Sequence, residues 1–165
     1  MFGLLKKYDV HLCPVVQGRI TLHDKPISGV PVKRWLYYID EIERVDTTET
    51  DSDGRFSFPE VTIRSKLPGD IFTVSRTQQK ITTTHEDLDY TLWEADLSGI
   101  KALPEYSEKL GTLICDLSSN EVNFTFPNHS NPNREYDATS ICRWENDFEI
   151  YVIEDDGTEF FCTKN

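Results

Sequence analysis

The alternation of apolar and polar side chains with a period of two constrains this chain more than any other feature. Val16, Gly18, Ile20 and Leu22 alternate with Gln17, Arg19, Thr21 and His23, the pattern of a strand with one buried face. Lys25-Pro26 follows as a turn signal, because proline fixes φ and cannot donate to a ladder. Val30, Val32, Leu36 and Tyr38 resume the alternation, with Arg34 out of pattern. Trp35 and Tyr37 fall on the opposite face beside Lys33, where they form an exposed aromatic strip unless a bulge turns them inward.

The clearest local signal is Thr50-Asp-Ser-Asp-Gly54-Arg-Phe-Ser-Phe58-Pro59. An Asp-Gly turn leads into a strand with Phe56 and Phe58 on one face, and Gly54 supplies the positive φ such a turn demands. Further strands are predicted over Ile71–Arg76, Lys80–Thr84, Tyr90–Ala95, Leu113–Leu117, Val122–Phe126, Ser140–Trp144 and Phe148–Ile153. The last pairs with Thr158–Cys162 across Glu154-Asp-Asp-Gly157. Residues 128–137 read as a polar loop. Helix is confined to Pro104–Leu110, with proline at the first helical position and Glu105 in the first turn. Short strands at turn-punctuated spacing make an all-β sandwich.

The chain has 165 residues, enough for one domain that buries about two thirds of its unfolded surface. Its formal net charge of −12 argues against a nucleic-acid binder, because phosphate contacts need a basic face. It also argues against docking on anionic lipid. No run of about 18 apolar residues occurs, and the N-terminal Met1–Asp9 lacks the charge-first order of a secretory signal. The expected location is therefore cytoplasmic, with Cys13, Cys115, Cys142 and Cys162 as reduced, mostly buried thiols.

Gly18-Arg-Ile-Thr-Leu-His-Asp-Lys-Pro26-Ile-Ser-Gly29-Val-Pro-Val32, followed by Thr50-Asp-Ser-Asp-Gly54-Arg-Phe-Ser-Phe58, resembles the carboxypeptidase regulatory-like, transthyretin-like (prealbumin-like) β-sandwich. The quoted motifs cover about residues 14–60. Leu12-Cys13 and Ile141-Cys-Arg-Trp144 are similar to a small family of uncharacterised bacterial proteins built on this module. The resemblance implies a module over 14–80, with residues 81–165 as an extra β-rich half that completes or extends the sandwich. It also implies a non-catalytic role in recognising another protein, although a fold by itself licenses no activity.

Catalytic patterns are missing. None of His11, His23, His85 or His129 opens a His-x-x-Glu pair, and the chain ends Cys-Thr-Lys-Asn rather than in the Tyr-Arg-Gly-Ser of transthyretin-like hydrolases. There is no nucleophile elbow, phosphate-binding loop or zinc-protease motif. His11-x-Cys13 reads as a strand-start histidine beside a buried thiol, and Asp51-x-Asp53-Gly54 as a hairpin turn rather than a calcium loop. No catalytic residue, metal or cofactor is expected.

The charge is unevenly spread. Residues 36–60 and 144–165 each carry a net −6, together the whole net charge. The first segment holds Asp40, Glu41, Glu43, Asp51 and Asp53; the second holds Glu145, Asp147, Glu149, Glu154, Asp155, Asp156 and Glu159. Trp35, Tyr37 and Trp144 are the aromatic neighbours. Acidic rims around aromatic anchors steer and then grip a basic partner. The expected function is a bacterial immunity protein, a monomer or weak dimer, that neutralises a cognate basic toxin. An adaptor of a secretion system that binds an effector is the alternative, and a hydrolase with an unrecognised site is the second.

Overall fold

Two prolines shape one layer of the sandwich. In the computed structural model, which describes residues 6–153 and the backbone of 159–162, strand β1 (Tyr8–Cys13) runs through Pro14 into β2 (Val16–Leu22). Antiparallel to it, β6 (Arg55–Phe58) runs through Pro59 into β7 (Val61–Ser65). Cys13 pairs with Val61 and Val16 with Phe58, so the register carries across the gap although neither proline has an N–H to give the ladder. β10 (Leu113–Asp116) lies parallel to β2 on its other side, Leu113 opposite Gly18.

The hairpin after β2 corrects the sequence reading. His23 and Asp24 both have positive φ and form the two-residue turn, and Lys25–Pro26 is the short return strand β3. Turn chemistry alone favours glycine or asparagine there. Asp116 supplies what those residues lack, accepting from the His23 and Asp24 amides at 3.2 and 2.8 Å and from Thr21 Oγ1 at 2.8 Å.

The second layer is an eight-stranded antiparallel sheet. Its members are β4 (Pro31–Tyr38), β5 (Glu43–Glu49), β8 (Arg76–His85), β9 (Leu88–Ser98), β11 (Val122–Pro127), β12 (Glu135–Ser140), β13 (Glu149–Ile153) and β14 (Glu159–Cys162). Their order across the sheet is β14-β13-β11-β12-β9-β8-β4-β5. The fold is an all-β sandwich, with the helix α1 (Pro104–Leu110) where the sequence places it. Two predicted strands are displaced. Residues 71–75 form a turn before β8, and residues 141–148 are irregular because β12 occupies part of the expected polar loop.

One core joins the layers. Val10, Leu12, Val16 and Ile20 pack with Val32, Leu36, Ile81 and Trp93. The larger polar side chains in that core are paired, as burial requires, whereas the Thr77 and Thr125 hydroxyls have no hydrogen-bond partner among the described residues. Gln79 donates to the Leu12 carbonyl at 2.8 Å and accepts from Trp93 Nε1 at 3.0 Å. Arg34 is 0% exposed and points inward in phase with its strand. Its guanidinium holds Asp46 at 2.9 and 2.6 Å, donates to the Pro59 carbonyl at 2.7 Å and lies over the Phe58 ring. The break in the hydrophobic pattern is thus a buried arginine whose carboxylate partner, Asp46, reaches solvent.

The expectation of reduced thiols is corrected for Cys115 and Cys142 but not for Cys13, while the side chain of Cys162 lies outside the described residues. Cys115 and Cys142 form a disulfide between β10 and the segment after β12, tying the two layers together. Cys13 is a free, buried thiol whose pKa burial pushes up to about 11, against the pull of neighbouring Arg34.

Candidate protein-binding surface

The inner face of the large sheet is filled by the core, and its outer face is built from the alternate residues of the same strands. Pairing places those residues in two rows. One runs Glu43 (β5), Tyr37 (β4), Gln78 (β8) and Asp96 (β9), then Asp137 (β12), Thr125 (β11) and Glu149 (β13). The next runs Val45, Trp35, Lys80, Glu94, Thr139, Asn123 and Tyr151.

Trp35 and Tyr37 stand half-buried on this face, their rings parallel with centroids 5.6 Å apart. The strip is therefore outward and preorganised, since each ring restricts the other. Beside it lies a shallow trough of ≈ 650 Å³, lined by Lys33, Trp35, Gln78, Lys80, Thr82, Glu94, Asp96, Asp137 and Thr139. Lys80 meets Glu94 at 2.8 Å and Arg76, at the start of β8, meets Asp96 at 2.6 Å, whereas Lys33 forms no ion pair among the described residues. Glu43, Asp137 and Glu149 remain against Lys33 and set the sign of the surface.

The two acidic segments predicted from sequence meet here only in part. Glu43 and Glu149 share one row and one face, but β5 and β13 are six strand spacings apart, about 29 Å. Asp96 and Asp137 fill the distance between them. Sequence reasoning missed both because they lie in a stretch of low net charge, and only strand pairing shows that they align.

The other predicted residues have separate places. Asp40 and Glu41 sit in the β4–β5 turn. Partial burial opposes ionisation of Asp40, but Arg44 at 2.6 Å and the Ile42 amide hold it below the ordinary carboxylate range. Asp51 and Asp53 lie past the far end of β5, and Asp51 accepts the Asp53 and Arg55 amides at 2.9 Å, a turn-building role. Glu145 and Asp147 are exposed in the turn before β13. Trp144 is corrected outright: it is 8% exposed, packed on Phe124, Trp93 and Phe148, with Nε1 donating to the Lys109 carbonyl at 3.3 Å. It is a core residue. Glu154, Asp155 and Asp156 lie outside the described residues, as does the side chain of Glu159.

Compared with known families, residues 16–120 match Domain of unknown function (DUF6795). The chain belongs to that family. No curated protein and no solved structure matches the chain. The family segment runs from β2 past β10 and so includes Trp35, Tyr37, Glu43 and Asp96. It stops before Asp137 and Glu149, so one end of the acidic row lies outside the part that defines the family.

Proposed function

We propose that this protein is a non-catalytic binding module of the carboxypeptidase regulatory-like, transthyretin-like type, and that it neutralises a basic toxin by covering it. The observation that carries this reading is the outer sheet face, where a stacked Trp35–Tyr37 pair shares its rows with Glu43, Asp137 and Glu149, carboxylates that form no ion pair among the described residues. Such a face attracts a positive partner over distance and offers a rigid aromatic contact on arrival. A nuclease toxin fits this chemistry best, because its own substrate-binding face must be positive.

The compartment follows the disulfide. Both Cys115 and Cys142 are fully buried, which limits access of reductants to the bond. A cytoplasmic protein of this kind keeps its bond only through that shielding, whereas an oxidising compartment maintains it without help.

The deciding experiment uses the purified protein as bait in lysate of its source organism at low and moderate salt. One basic protein retained at equimolar ratio, released as salt rises and lost with the Trp35→Ala, Asp137→Lys double variant, supports neutralisation. Secretion components in its place establish the adaptor. An empty bait overturns both and returns attention to a hydrolase, tested by replacing the four histidines singly.

A further inference from the structure

The most exposed apolar residues of the described chain are not on the sheet face. They cluster in the turn between β7 and β8, where Ile71 and Phe72 are 90% exposed and Val74 is 77% exposed. Water is an unfavourable environment for such side chains, and contiguous apolar patches on a folded protein mark places where something binds.

This turn is held in shape. Asp70 Oδ1 accepts the Phe72 amide at 2.9 Å, an Asx turn, and the Asp70 carbonyl accepts the Thr73 amide at 3.2 Å. Its entry is fixed by Leu67, which packs on the core and whose carbonyl accepts the Asp70 amide at 3.0 Å. Its exit is fixed by Ser75, whose hydroxyl lies 3.0 Å from the Tyr38 hydroxyl and whose carbonyl accepts the Gly99 amide at 2.9 Å. A tip built this way loses little conformational freedom on binding.

The surroundings set the chemistry of the occupant. Tyr38 pairs with Thr77, which brings the tip alongside the β4–β5 turn, where Ile42, Glu41 and Glu43 are exposed. We infer that Ile71, Phe72 and Val74 form an anchoring tip that inserts into an apolar pocket of a protein partner, a pocket bordered by basic side chains that meet Asp70, Glu41 and Glu43. Exposed Lys66 and Lys6, the latter over the Tyr8 ring on which Gly69 sits, flank the other side of the turn, so anionic lipid is the competing occupant that vesicle flotation tests. A second copy is disfavoured because the same carboxylates would face one another. The inference rests on the protein-binding reading above and adds a contact at the end of the sheet that carries Tyr37 and Glu43.

Photo-crosslinking tests it separately from that reading. Benzoylphenylalanine is placed at Phe72, at Trp35, or at Ser57 on the other layer, in cells of the source organism. The expected result is one polypeptide joined from positions 72 and 35 and not from 57. With that polypeptide purified, Phe72→Asp should raise Kd at least about thirtyfold and Phe72→Leu less than about fivefold. Both variants should keep the wild-type melting temperature. Crosslinks from position 35 alone overturn the tip and leave the sheet-face reading standing. Crosslinks from 72 to a second copy of this chain, or flotation of the wild type but not Phe72→Asp with phosphatidylglycerol vesicles, assign the tip to self-association or lipid instead. Crosslinks from neither position overturn both readings.

Discussion

Asp116 does more for the fold than its place in the sequence suggests. It stands at the end of β10 and hydrogen-bonds the β2–β3 turn more than ninety residues earlier in the chain, besides accepting from the Ser118 amide and hydroxyl. Partial burial opposes its ionisation, but the donors from Asp24, Ser118 and Thr21 hold its pKa well below the ordinary carboxylate range. A carboxylate depressed in the folded state stabilises fully above its unfolded pKa, about 3.9, and loses that contribution as pH falls toward the folded value. Asp116→Asn is therefore expected to lower the melting temperature at pH 7 and to flatten its decline below about pH 4. Calorimetry across that range checks it, and acid limbs running parallel in both proteins would contradict it. Sequence could not reveal this residue, since its partners are long-range. Gly54 was legible, by contrast, because the turn demands a local positive φ and the structure has it at +75°.

At the scale of elements, alternation located β2, β4 and β6 and the helix signal located α1. It failed where local chemistry was ambiguous. Ile71-Phe-Thr-Val74 has strand composition, yet Asp70 closes it into a turn; the tip's exposure is a tertiary fact that propensity does not carry. The Glu86–Asp87 turn, both residues at positive φ, likewise lacks the glycine that would announce it. The disulfide was illegible for a related reason: four cysteines allow several pairings, and only a long-range contact, the Arg143 amide donating to the Ile114 carbonyl at 3.1 Å, lays the Cys142 segment against β10. The bond closes a loop with a sequence separation of 27 residues. Replacing both cysteines with alanine is expected to cost about 3–4 kcal/mol, a melting temperature lower by roughly 10 °C. Reductant should then move the wild type toward the variant and leave the variant unmoved. Equal melting temperatures in oxidised wild type and variant would show that hydrogen bonds and core packing alone hold the layers together.

For the molecule as a whole, the same residue type separates stability from recognition. In sequence Trp35 and Trp144 look equivalent, because each adjoins an acidic segment, but the sandwich assigns one to the outer face of the large sheet and the other to the core. Trp144 faces inward beneath Phe124 and beside Lys109, whose ammonium lies 5.4 Å from its ring and donates to the Asn146 carbonyl at 2.9 Å. Trp35 faces outward and touches the acidic row through Tyr37. Trp144→Ala should open a cavity at a cost of about 3–5 kcal/mol and strand a buried lysine near it. It should lower partner affinity only as far as it unfolds the protein. Trp35→Ala should change stability by less than about 1 kcal/mol and weaken the partner by at least about tenfold, mainly through faster dissociation. Raising salt should slow association equally for wild type and Trp35→Ala, because the steering field belongs to the carboxylates. Charge reversal at Asp137 should instead reduce that salt sensitivity while leaving the aromatic contact in place. If Trp35→Ala and Asp137→Lys altered the same rate constant, the division between a steering row and a gripping pair would be wrong, although the face itself would still be the interface.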